Sequence, residues 1–195
     1  MRRLIITSFV TLSAAAIAAP TFAQTPAPAA PPAPQTFTLS GNIIRGYQGL
    51  QRNLTEAAEK MPDTAYDFKP TPEVRPFGQL IAHVAMSQFG ACAAAKEDPA
   101  APHKGEKEET ARTKSELMAL LKESTTYCDA VFTSMKDEDM TTLVKNGQNQ
   151  VAKGLFLVST NTHGNEMYGT MSVYLRLKGI VPPTTERQNA AKKSQ

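Results

Sequence analysis

The sequence predicts an all-α fold, a four-helix bundle, and three observations predict it. Apolar residues recur at steps of three and four in four separate stretches. No stretch shows a convincing alternation of the strand kind. Proline-rich and polar segments lie between the periodic stretches, where helices have to stop. Four amphipathic helices of this length pack most simply as a bundle around one core.

The first helix is expected over residues 39–61, where Ile43, Tyr47, Leu50, Leu54, Ala57 and Met61 form a one-sided stripe. Pro62 and "KPTPEVRP" end it and forbid helix across residues 69–76. The second is expected over residues 77–96, with Leu80, Ile81, Val84, Ala91 and Cys92 inward. A long polar crossover, "EDPAAPHKGEKEETAR", separates it from the third helix. That helix opens at Thr113 with a capping box, "TKSE", in which Thr113 and Glu116 satisfy each other's free backbone donors. Its stripe is Leu117, Leu120, Leu121, Ser124, Cys128, Val131 and Met135. The fourth is expected over residues 151–178, capped by Gly179 with Pro182 and Pro183 beyond. Phe156, His163, Met167, Thr170, Tyr174 and Leu177 share one of its faces, while Gly164 and Gly169 lower its helix propensity.

The flanks read differently. Residues 1–23 have a basic start (Arg2, Arg3), an apolar middle and a small residue at the end, the pattern of a cleaved secretory signal with Thr21-Phe22-Ala23 at its cleavage site. Ser13, Pro20 and Thr21 break the apolar run, so no stable membrane insertion is expected after cleavage. Residues 24–36 alternate Pro and Ala without charge, an extended spacer with no core. The fold is then residues 37–183, and residues 184–195 read as a polar, solvated tail. A periplasmic or secreted bacterial location follows. Of the 21 basic residues, Arg2 and Arg3 leave with the signal, against 18 acidic ones, so the mature chain is almost neutral. No basic face is interleaved with aromatics, so nucleic-acid binding has no electrostatic support.

Chemistry has few candidates. His83 lies one turn after Leu80 on or beside the inward stripe of the second helix, and His163 lies on the inward face of the fourth. His103 falls in the crossover and reads as a solvated loop residue. A histidine on an apolar helix face is more often hydrogen-bonded in a core than a ligand, although bundle interiors do build metal sites from facing helices. No Ser-His-Asp ordering and no phosphate-cradling glycine loop is visible.

Two regions, "YDFKPTPEVRPFGQLIAHVA" (66–85) and "HGNEMYGTMSVYLRLKGIVPP" (163–183), resemble the signature regions of the DinB-like family, and the resemblance spans residues 39–183. It implies an up-down-down-up bundle with the long crossover between helices two and three. It also implies a divalent-metal site, nickel or zinc, made of one histidine on the second helix and a His-x-x-x-His pair on the fourth. Carried over by position, the ligands are His83 and His163, and the third position falls on Met167. Two imidazoles hold zinc or nickel weakly and a thioether suits neither, whereas a His-His-Met set suits cuprous copper. Glu166 is a substitute donor only if it swings about 100° around the helix. The bland alternative has Met167 filling the vacated space as apolar packing.

Characterised relatives include metal-dependent transferases and isomerases that use low-molecular-weight thiols. Those thiols belong to the cytoplasm, in conflict with export. Tyr168 and Tyr174 are candidates to orient a substrate, and Asn165 and Glu166 candidates for supporting or acid–base roles, each against a plain reading as core aromatic or surface polar residue. DinB-like proteins are often homodimers, so a second copy is the protein partner the resemblance offers.

Cys92 and Cys128 stand 15 residues after the starts of their helices at Phe77 and Thr113. Parallel helices would set them level, and antiparallel ones would offset them by on the order of 15 Å. The parallel arrangement implied by the resemblance leads to an expected Cys92–Cys128 disulfide, which an exported domain would keep. Three functional readings stand open: a small-ligand-binding bundle without catalysis, a divalent-metal transferase or hydrolase-type enzyme, and a periplasmic copper-binding protein.

Overall fold

The computed structural model describes residues 36–194. The expected signal (1–23) and all but the last residue of the spacer (24–36) lie outside the described residues.

Helix α1 (Leu39–Lys60) starts where the Thr38 hydroxyl accepts the Gly41 N–H at 3.1 Å, and it ends before Pro62 as its stripe predicts. The chain then makes a single 3-10 turn, Asp63–Ala65, and a proline-rich strap. The strap is docked rather than loose. The Tyr66 hydroxyl donates to the Ala58 carbonyl at 2.7 Å, and the Phe77 and Gly78 N–H groups donate to the carbonyls of Phe68 and Tyr66 at 3.0 and 2.8 Å. Helix α2 (Phe77–Lys96) is nearly all apolar and is covered on most of its surface. Helix α3 (Lys114–Phe132) opens on the expected capping box, with both Thr113 and Glu116 bonds present.

Between α3 and the last long helix the structure departs from expectation. A short helix α4 (Asp137–Thr141) leads into an antiparallel hairpin of β1 (Leu143–Asn146) and β2 (Asn149–Ala152). Its two-residue loop carries Gly147 at φ 62°, the positive φ that a tight hairpin demands at its first central position. Helix α5 (Lys153–Leu177) therefore begins after Val151, which belongs to β2. The expected inward stripe of α5 also needs correction: Leu177 is 57% exposed, whereas Leu157, Met171 and Leu175 are fully buried. Helix α5 packs on both α1 and α2, so its covered surface is wider than one stripe. Gly179 (φ 73°) caps it in a Schellman arrangement, with Gly179 N–H to Arg176 O and Ile180 N–H to Leu175 O, both at 2.9 Å. The residues read as a polar tail form a sixth helix, α6 (Pro183–Lys193), held to α1 by bonds from Arg187 to Asn53 and Glu56.

The contacts fix the directions. Gly78 meets Leu117, Ser124 bonds Gln88 and Cys128 joins Cys92, so α2 and α3 run parallel. Asn161 bonds Ile43 and Gly164 meets Leu50, so α1 and α5 are parallel too. Lys114 reaches Glu59 while Phe132 meets Tyr47, so α1 opposes α3. The bundle is up-down-down-up, as expected. Gly164 is what lets α5 approach α1, because a Cβ there would stand 2.5 Å from Leu50 Cδ2. The Cys92–Cys128 disulfide is formed, with Cα atoms 5.4 Å apart.

Candidate functional site

His83 and His163 meet. They face each other across the α2–α5 seam, with ring centroids 4.9 Å apart and ring planes near perpendicular, at 78°. Their convergence follows from antiparallel packing of α2 and α5, which also brings Phe77 against Tyr174 further along.

Each imidazole has a carboxylate at its Nδ1. His83 Nδ1–H donates to Glu108, a residue of the long crossover. Glu108 in turn accepts from Arg75 Nε at 2.8 Å and from the Gln79 amide at 3.4 Å. Burial acts to raise the Glu108 pKa, but the hydrogen bonds from Arg75 and His83, with the guanidinium charge beside it, outweigh burial and hold the group below the usual carboxylate range. A carboxylate only accepts, so the proton of neutral His83 sits on Nδ1 and its Nε2 carries the lone pair. At His163 the Glu166 carboxylate lies 3.5 Å from Nδ1, while Nε2 is buried with no hydrogen-bond partner.

Beside the pair is a cavity of about 320 Å³ between α2 and α5, lined by His83, Ser87, Gln88, Ser159, Thr160 and His163 among others. Its deep wall joins a buried polar network. Gln88 donates to Gln51 Oε1 at 3.0 Å and accepts from Ser124 Oγ at 2.9 Å, and Thr125 Oγ1 bonds Gln51 at 3.0 Å. Gln51 and Gln88 are almost fully buried; these bonds occupy Gln51 Oε1 and both ends of the Gln88 amide, while Gln51 Nε2 is buried without a partner. A second cleft, of about 720 Å³, opens one turn further along, where Arg75, Glu108, Leu80, Met167, Thr170 and Tyr174 contribute to its walls.

Met167 is 8% exposed and belongs to the same buried cluster as Leu80, Tyr168 and Met171. It contributes to the wall of the second cleft, one turn from His163. Glu166, the other candidate donor, has a largely exposed side chain beside His163 Nδ1. Among the described residues no group of three His, Cys, Asp or Glu side chains converges in a way that could hold a metal. The Tyr168 hydroxyl is committed to Thr184 (2.9 Å), and the Tyr174 hydroxyl donates to the Arg75 carbonyl (2.7 Å). Asn165 bonds the Asn161 carbonyl at 2.7 Å. His103 is no solvated loop residue: it bridges Glu106 (2.7 Å) and Glu123 (3.1 Å) and packs on Phe89 at 4.9 Å.

Glu108, Gln51 and Gln88 are absent from the sequence reading. Gln88 stood four residues after Val84 on an inward row, so a polar residue at a core position was a usable signal. Nothing in "HKGEKEETAR" distinguishes Glu108 from its acidic neighbours.

The family model of the DinB superfamily matches residues 47–171 of this chain. The fold is similar to the crystal structure of a DinB-like protein from Bacillus cereus (16% identity over 74% of this chain and 95% of that one, TM-score 0.59). It is also similar to a DinB-like protein from Bacillus subtilis (23% identity, 71% and 92% covered, TM-score 0.58). A conserved protein from Enterococcus faecalis is similar at 15% identity, with 73% and 98% covered and a TM-score of 0.55. At these identities the likeness concerns the fold. No curated protein matches the chain.

Proposed function

The chain belongs to the DinB superfamily, and from that premise we propose that it is an exported bundle that binds a small ligand at His83 and His163, in a metal site that has lost its third histidine. The observation that carries this reading is the imidazole pair beside the 320 Å³ cavity, with one ring nitrogen buried and unpartnered. A cavity of that size sits at the small end of the roughly 300–1,000 Å³ typical of ligand sites.

The donor set does not fit a three-histidine nickel or zinc centre. The third family position falls on Met167, a soft thioether packed among apolar side chains. Both nearby carboxylates stand at the Nδ1 side of the histidines, where they orient the rings rather than replace a ligand. A second reading, a cuprous-copper site of His83, His163 and Met167, draws support from the orphan Nε2 of His163. Export is supported by the signal-like residues 1–23 and by the Cys92–Cys128 disulfide, a bond that persists in oxidising compartments.

Elemental analysis of protein purified from the periplasm tests the proposal. The expected result is no stoichiometric metal. Stoichiometric copper would favour the second reading, and stoichiometric nickel or zinc would overturn both in favour of a divalent-metal enzyme.

A further inference from the structure

We infer that the cavity beside His83 and His163 selects a hydrogen-bond donor, specifically a small primary ammonium, an inference that rests on the small-ligand reading above. Its polar wall presents lone pairs. The Nδ1–H of His83 donates to Glu108, which leaves Nε2 as the acceptor of the neutral ring. Glu166 beside Nδ1 of His163 favours the same tautomer there; that Nε2 has no partner and almost no accessible surface, so it lies just beneath the wall and is reached only by a ligand group that displaces its covering atoms. Hydroxyls have one proton each, and two of those lining the cavity have spent theirs: Ser87 Oγ donates to the His83 carbonyl and Thr160 Oγ1 to the Phe156 carbonyl, both at 2.8 Å. Gln88 is used at both ends of its amide, by Gln51 and Ser124. Ser159 supplies one more hydroxyl, free to face either way.

The charges agree. No Lys or Arg lines this cavity, whereas the carboxylates of Glu108 and Glu166 stand behind its two imidazoles. Arg75 is engaged on the far side of Glu108 and borders the other cleft. An anion entering here would meet lone pairs without a cation to offset its lost hydration. An ammonium brings three donors to a wall of acceptors, and its short alkyl tail can lie on Val84, Ala91 and Gly164. An alcohol brings one donor.

The test follows the histidine ring Cε1–H signals of the full chain by NMR during titration with butylammonium, 1-butanol and butyrate. His103, in the crossover, serves as the internal reference among only three histidines. Butylammonium is expected to shift His83 and His163 saturably, with butanol at least tenfold weaker and butyrate inert. Ser87→Ala and Thr160→Val, checked for unchanged folding by circular dichroism, are each expected to weaken butylammonium about three- to tenfold, the loss of one hydrogen bond. Butyrate or butanol binding as tightly as the amine, or variants that bind unchanged, would overturn the donor assignment while leaving the ligand-site reading in place. Silence of both histidines toward all three probes would overturn the two together.

Discussion

Glu108 is gripped from three sides, by His83, Arg75 and Gln79, although it comes from the crossover rather than a helix. Its removal leaves a part-buried imidazole N–H and a guanidinium without their acceptor. Glu108→Ala is expected to destabilise the protein by about 1–3 kcal/mol, the range for stranding such donors, read from urea unfolding. A change within about 0.3 kcal/mol would show that the carboxylate is a surface bystander. At this scale the sequence revealed what helical spacing controls and little else. His83 and His163 could be named because each falls on a covered helix face. Glu108 could not, because its place depends on the path of the crossover, and local periodicity does not encode that path.

Among the elements, the crossover between α2 and α3 is held by more than its ends. His103 is its pin, bridging Glu106 and Glu123, with Arg112 also on Glu106. Burial works against the charged form of His103, but the bonds and charges of Glu123 and Glu106 outweigh it and raise its pKa. A raised pKa means that this stabilisation is complete below the unfolded value, about 6.5, and fades as pH rises through the higher folded value. The melting temperature of wild type should therefore exceed that of His103→Gln most at mildly acidic pH, with the gap narrowing as the solution becomes alkaline. A gap that widens with pH would contradict the assignment. The four long helices were legible from stripes, a capping box and a terminal glycine. The β1–β2 hairpin was not, since four-residue strands give a period count too little to work on, although Gly147, at the first central position of the loop, carried a turn signal. Helix α6 was missed because it is polar almost all round and is held by Arg187, Glu186 and Thr184 rather than by an apolar face.

The whole molecule is an up-down-down-up bundle in which the parallel α2–α3 pair is stapled by Cys92–Cys128. That bond spans 36 residues, and the chain-entropy argument gives it about 4 kcal/mol through restriction of the unfolded chain. Reduction should lower the urea midpoint accordingly, whereas an unchanged midpoint would show that the bundle does not depend on the staple. Topology and staple were legible together, because only parallel helices make the two sulfurs level. The direction of the helices came from family resemblance and not from the stripes, which are blind to it. His83 and His163 converge across the α2–α5 seam, and the proposed site has Met167 where a third nitrogen would complete it. Competition of zinc against a chelating dye, for wild type and Met167→His, tests it most directly. Wild type is expected to bind zinc weakly, and the variant at least about 100-fold more tightly, equivalent to about 2.7 kcal/mol. Equal affinity of the two proteins for zinc, tight or weak, would contradict it.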